Sequence, residues 1–205
     1  MQPLPASTLR RNLGTWAVPP ALLPAVAHVL HDALPNEAFD PHFLGQRLRT
    51  TYLDTPAFAL RKARVRGDHY LTLRLRCYQA PDGGETYALS AKTEAEKWRK
   101  ELSPAWTEQD LDAVLPGHLL ARLQELTGGE PLAGVVAVCC RRYAVEDEEE
   151  RLTLDCDVST DTGKVLPFAV LEHKSRDPGA LPPGPLARIA LRPVKLSKFL
   201  WATSL

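Results

Sequence analysis

Tyr70-Leu71-Thr72-Leu73-Arg74-Leu75-Arg76-Cys77-Tyr78 is the stretch whose reading decides the fold of this chain. Tyr, Thr and Leu favour extended backbone, and side chains two residues apart on a strand share a face. Thr72, Arg74, Arg76 and Tyr78 therefore point one way, and Leu71, Leu73, Leu75 and Cys77 the other. The Leu–Cys face demands a core. The opposite face holds two guanidiniums about 7 Å apart along the strand. Like charges that close raise the folding free energy unless an anion lies between them. A solvated face with Glu neighbours accounts for this one strand about as well as an anion does.

The pattern recurs. Arg141 and Arg142 end the apolar run Val135-Val136-Ala137-Val138-Cys139-Cys140, and strand alternation lets only one of them face inward; Arg141 is the expected one. Arg151 opens the alternating Arg151-Leu152-Thr153-Leu154-Asp155. In Phe168-Ala169-Val170-Leu171-Glu172-His173-Lys174 the residues Phe168, Val170, Glu172 and Lys174 share a face, and Lys92 closes Tyr87-Ala88-Leu89-Ser90-Ala91. Several strands thus set a basic residue among apolar neighbours. A closed or nearly closed sheet would aim these cations at one interior, where a polyanion neutralises them. Phosphate is the expected guest, because planar Arg forks match its oxygens bidentately.

The chain has 205 residues, enough for one large domain or two small ones, and Lys plus Arg equals Asp plus Glu at 25 each. Zero net charge gives no general pull toward nucleic acid or a membrane surface. Part of the balance lies in Glu146-Asp147-Glu148-Glu149-Glu150, which reads as a solvated turn between strands. Cys77, Cys139, Cys140 and Cys156 lack metal-ligand spacing and read as small buried hydrophobes of a reducing compartment. His28, His31, His42, His69 and His118 show no ligand spacing either, and His173 should face away from Glu172. No signal peptide or apolar stretch of membrane length is read, so a cytoplasmic location is expected.

Turn and breaker residues divide the rest. A strand is expected around 12–18, then a helix near 20–33 opened by Pro19-Pro20. A strand over 48–52 ends at Asp54-Thr55-Pro56, with Asp54 or Thr55 capping a helix over 57–63. Strands 68–78 and 85–92 flank Pro81-Asp82-Gly83-Gly84, and a helical region over 107–126 is broken in two by Pro116-Gly117. Strands 134–146 and 150–158 form a second hairpin, and another runs over 165–174. A Pro/Gly-rich loop over 177–185 leads to a short helix and the C-terminal Lys195-Leu196-Ser197-Lys198, with Phe199-Leu200-Trp201 anchoring the end. The expected class is α+β: one domain over 1–205, an antiparallel β-barrel tunnel with a basic interior and flanking helices.

The ordered set Tyr52-Leu53-Asp54-Thr55, Leu73-Arg74-Leu75-Arg76-Cys77-Tyr78, Lys92, Arg141-Arg142-Tyr143, Arg151-Leu152-Thr153-Leu154-Asp155, Leu171-Glu172-His173-Lys174 and Lys195-Leu196-Ser197-Lys198 resembles the VTC domain over about 10–200. That domain is the polyphosphate polymerase of the vacuolar transporter chaperone complex, within the triphosphate tunnel metalloenzyme superfamily. The resemblance implies a barrel tunnel, and transfer of the terminal phosphate of ATP to a polyphosphate chain with a divalent metal. It implies phosphate binding by Arg74, Arg76, Lys92, Arg141, Arg151, Lys174, Lys195, Ser197 and Lys198. Arg74, Arg76 and Lys198 would act in catalysis, and Glu172 would be the ligand of Mg²⁺ or Mn²⁺ held mostly through phosphate oxygens. ATP and polyphosphate, or another phosphate polyanion, are the implied partners.

The chain departs from that pattern where carboxylates are expected. Its first strand reads Arg11-Asn12-Leu13-Gly14-Thr15-Trp16, with Leu13 and Thr15 at the family's charged positions, and Ser90 stands where Glu is frequent. The Glu-x-Glu-x-Lys motif of the superfamily's triphosphatases is absent, which weighs against that activity. A non-catalytic tunnel binding polyphosphate or nucleotide is the main alternative to the polymerase.

Overall fold

A computed structural model describes residues 11–33, 45–67, 69–80, 83–103, 111–146, 150–177, 186 and 188–204, without the side chains of 11–13, 31–33, 145 and 146. The acidic residues 147–149, the start of the helical region at 107, and the loop over 178–185 lie outside the described residues. The described chain runs β1 (Arg11–Val18), a 3₁₀ turn (Pro20–Leu22), α1 (Leu23–Ala33), β2 (Gln46–Asp54), α2 (Ala59–Arg66), β3 (Thr72–Gln79), β4 (Glu85–Lys92) and β5 (Lys97–Leu102). It continues through α3 (Leu111–Val114), α4 (Gly117–Thr127), β6 (Ala133–Glu146), β7 (Glu150–Thr160), β8 (Ala169–Ser175), β9 (Arg192–Pro193) and α5 (Lys198–Ala202). Pro116, the N-cap of α4, lies between α3 and α4, and Gly117 opens α4.

The hydrogen-bonded strand order is β5-β4-β3-β2-β6-β7-β8-β1-β9. The ladders β1–β8, β1–β9, β2–β3, β3–β4, β4–β5 and β7–β8 are antiparallel. The order ends at β5 and β9, and no ladder joins those two among the described residues, so these pairings do not draw the closed barrel expected from the sequence. The chain groups into two compact units, each made of three segments. One, called here the β8 unit, is Met1–Gln46, Cys140–Val158 and Val165–Leu196; the other, the β3 unit, is Arg47–Cys139, Ser159–Lys164 and Ser197–Leu205.

In the β3 unit, Leu53, Leu73, Leu89 and Ala91 of β2–β4 meet Leu60 of α2 and Leu111, Leu115, Leu119 and Leu123 of the α3–α4 region, all buried. This is the apolar face demanded by period-two alternation. In the β8 unit, Val18, Leu152, Leu154, Cys156, Ala169 and Leu171 pack against Val26 and Leu30 of α1. The second face carries Arg74 and Arg76 beside Tyr52 and Ala88 in the β3 unit, and Glu172 and Lys174 beside Ala17 and Val170 in the β8 unit.

The entry to α2 is fixed by Asp54, whose buried carboxylate accepts the backbone N–H of Thr55 at 2.7 Å, Leu60 at 2.9 Å and Arg61 at 2.9 Å. Thr55 Oγ1 accepts from Ala59 N at 3.1 Å. These bonds satisfy donors that the first helical turn cannot pair internally. Burial pushes the Asp54 carboxyl up, while the three backbone N–H groups and Arg61 pull it down. Gly67, at φ 79°, ends the helix in the left-handed conformation that a Cβ disfavours.

Replacing Asp54 by Ala strands these buried donors and is expected to destabilise the protein by about 2–3 kcal/mol. Urea denaturation checks this; an unchanged midpoint contradicts the capping role.

Candidate functional site

Strand register builds the site in the β3 unit. Arg74 lies opposite Tyr52 of β2 and Ser90 of β4, and Ser90 lies opposite Arg99 of β5. The row Tyr52–Arg74–Ser90–Arg99 thus crosses the sheet on the face turned away from the leucine core, with neighbouring strands about 4.8 Å apart. The next row is Thr50–Arg76–Ala88–Glu101. On the other side stands Thr72–Lys92–Lys97. Glu101, 4.0 Å from Arg99, is the carboxylate these rows contain, against Arg74, Arg76, Arg99, Lys92 and Lys97.

Two features shape this face. Arg76 Nη1 donates to Tyr78 Oη at 3.3 Å, and Arg99 Cζ lies 5.2 Å from the Tyr78 ring centre, so an aromatic ring is bracketed by two guanidiniums. Ser90 is fully buried, and its Oγ has no hydrogen-bond partner among the described residues; the same holds for Arg76 Nε. A buried hydroxyl left unpaired is costly, and its usual explanation is a missing partner.

At the end of the first row, Phe199 of α5 stacks on Tyr52 with ring centres 4.9 Å apart. This gives Phe199-Leu200-Trp201 the anchoring role read from the sequence. Ser197 is the N-cap of α5, its Oγ accepting from Leu200 N at 3.5 Å, and Lys198 is half-buried in the first turn. Of the residues named from the sequence, the β3 unit therefore holds Arg74, Arg76, Lys92, Ser197 and Lys198. Lys97 and Arg99 were missed. Their segment Lys97-Trp98-Arg99-Lys100-Glu101-Leu102 is too charged to read as a strand, yet Trp98 and Leu102 alternate toward the core.

The β8 unit holds Arg141, Arg151, Glu172, Lys174 and Lys195. Glu172 lies opposite Thr15 of β1 and Thr153 of β7, and Lys174 opposite Arg151. The expectation that Arg141 is the inward arginine is reversed: Arg142 is buried, and its Nε and Nη2 fork onto Asp155 at 2.6 and 2.7 Å, with Asp155 on the Glu172 face. Arg141 is far more exposed and pairs with Asp157, Nε to Oδ2 at 2.6 Å. Asp157 sits at φ 54°, where the chain leaves regular strand geometry. Burial works against the Arg142 charge, but Asp155's charge and hydrogen bonds outweigh it, so Arg142 is held even more firmly charged than usual. His173 is fully buried on the core face, as expected, with Nε2 3.4 Å from Glu150. Lys195 is exposed.

Glu172 accepts Lys174 Nζ at 3.0 Å. Burial pulls the Lys174 ammonium below the usual lysine range, Glu172 pushes it back up, and Arg151 and Arg142 lower it. A divalent cation implied by the family resemblance would therefore find one carboxylate already held by a lysine, flanked by Thr15 and Thr153 rather than acids. No cluster of three His, Cys, Asp or Glu side chains suited to a metal stands together among the described residues. These residues do not fit a resident metal.

No family model matches the chain, and no curated protein does. Among solved structures, a candidate adenylate cyclase from Bacillus halodurans is similar with a TM-score of 0.55 and 19% identity, over 80% of this chain and 79% of that one. A candidate adenylyl cyclase from Hippeastrum with a dominant triphosphatase activity gives a TM-score of 0.46 and 17% identity over 80% and 79%. At its identity the first likeness shows the fold alone: an antiparallel sheet with flanking helices, shared with the Bacillus protein. No helix among the described residues is long and apolar enough to cross a membrane.

Replacing Asp155 by Asn leaves the buried Arg142 without its counter-charge and is expected to destabilise the protein by about 3–5 kcal/mol. Arg142→Met together with Asp155→Leu should cost less than Asp155→Asn alone. Chemical denaturation of both checks this; a single variant as stable as the parent contradicts the pairing.

Proposed function

We propose that the chain binds the triphosphate of ATP, or the end of a polyphosphate chain, on the Arg74 face of the β3 unit, and transfers the terminal phosphoryl group of ATP to polyphosphate. The observation that carries the binding half is the row Arg74–Ser90–Arg99, with Arg76, Lys92 and Lys97 beside it, on a face with Glu101 as its carboxylate. Guanidinium forks recognise phosphate oxygens bidentately, and phosphoryl transfer depends mainly on positioning and on stabilising charge spread over the transferred group. Arg74 and Arg76 take the non-bridging oxygens in this reading, with Lys92, Lys198 and Ser197 of the same unit as further contacts. Arg151 and Lys174 are assigned to phosphate within the β8 unit; Lys195 is assigned to the terminal phosphates. The transfer half rests on the resemblance of the ordered motifs to the polyphosphate polymerase domain.

Closure into a tunnel and the single-domain organisation of residues 1–205 belong to this reading. So does a cytoplasmic location, which suits the free thiols Cys77, Cys139, Cys140 and Cys156. Incubating the protein with ATP and analysing products separates the activities. Long polyphosphate supports transfer; ADP with orthophosphate alone favours a triphosphatase; binding without product leaves a non-catalytic anion carrier.

Arg74→Ala and Arg76→Ala are each expected to weaken tripolyphosphate binding by about 1.5–3 kcal/mol, roughly 10- to 150-fold. Lys100→Ala, on the strand face opposite Arg99, should leave it unchanged. Calorimetric titration reads all three, and unchanged affinity in both arginine variants removes them from the site.

A further inference from the structure

We infer that this chain recognises its triphosphate as the free anion, without a divalent metal, and that Ser90 is the residue that fits the β3 unit for that form. The inference rests on the anion-binding reading above. Ser90 stands in register between Arg74 and Arg99, fully buried, with its hydroxyl unpaired among the described residues. A hydroxyl there donates to an anion's oxygen without cancelling either guanidinium; a carboxylate at the same place would cancel one and invite a metal.

The described carboxylates on the strand faces are already engaged. In the β3 unit, Asp54 is spent on three backbone N–H groups and Glu101 stands against Arg99. In the β8 unit, Asp155 holds Arg142 and Glu172 holds Lys174. A metal dication at Asp155 would have to displace the buried Arg142, which is strongly unfavourable; at Glu172 it would compete with Lys174, and at Glu101 it would meet one exposed carboxylate beside Arg99. Mg²⁺ also neutralises much of the charge that the cation face attracts, so the complexed triphosphate is the poorer ligand.

The test is calorimetric titration of the full chain with tripolyphosphate, in EDTA and in saturating Mg²⁺. Binding about tenfold or more tighter in EDTA is expected. Equal or tighter binding in Mg²⁺ overturns the inference while leaving the anion site intact. Absence of binding in both conditions overturns the anion-binding reading itself. Ser90→Ala removes the hydroxyl with little risk to folding, because the hydroxyl has no partner among the described residues; it should lose about tenfold of the affinity in EDTA with its melting temperature unchanged or raised. Ser90→Glu should abolish the preference for EDTA. An alanine variant that binds as tightly as the parent removes Ser90 from the site.

Discussion

The register of β3 against β2 and β4 is the constraint on which the account depends. Leu73 lies opposite Leu53 and Ala91, and all three are buried in one core. A slip of one residue would turn Arg74 and Arg76 into that core and expose the leucines, a change no local adjustment could absorb. Apolar burial on one face therefore holds the guanidiniums on the other. The repulsion between Arg74 and Arg76 is tolerated because the leucines leave the strand no alternative.

The two units treat their buried charges differently. In the β8 unit the cations are matched internally: Arg142 forks onto Asp155, and Lys174 meets Glu172. A buried pair such as Arg142–Asp155 contributes little net stability but is costly to break, so it sets geometry more than it adds strength. In the β3 unit positive charge exceeds negative along the Arg74 face, and Ser90 lies at its centre with an unused hydroxyl. An excess of one sign beside an unpaired buried donor is an arrangement that a bound anion relieves.

Much of this was legible in the residues. Alternation in Thr72–Tyr78 and Arg151–Asp155, and the turn at Gly83-Gly84, placed β3, β4 and β7 close to where they lie. The hidden parts have physical causes. Lys97–Leu102 carries too many charges to read as a strand, because its stability comes from pairing with β4 rather than from its own propensity. The phase of Arg141 and Arg142 could not be read because Val135–Cys140 is apolar on both faces, so nothing local marks which side is the core. Asp155, whose position settled it, looked like the end of an alternating strand rather than the partner of a buried guanidinium. The role of Ser90 appears only once the ladders set it between Arg74 and Arg99.

A crystal structure of the chain grown with tripolyphosphate in the presence of EDTA tests the central claim most directly. Phosphate oxygens are expected within hydrogen-bond distance of the Arg74 and Arg76 guanidiniums, with Ser90 Oγ donating to one of them. An anion bound on another surface, with Arg74 and Arg76 making no contact to it, would contradict the account.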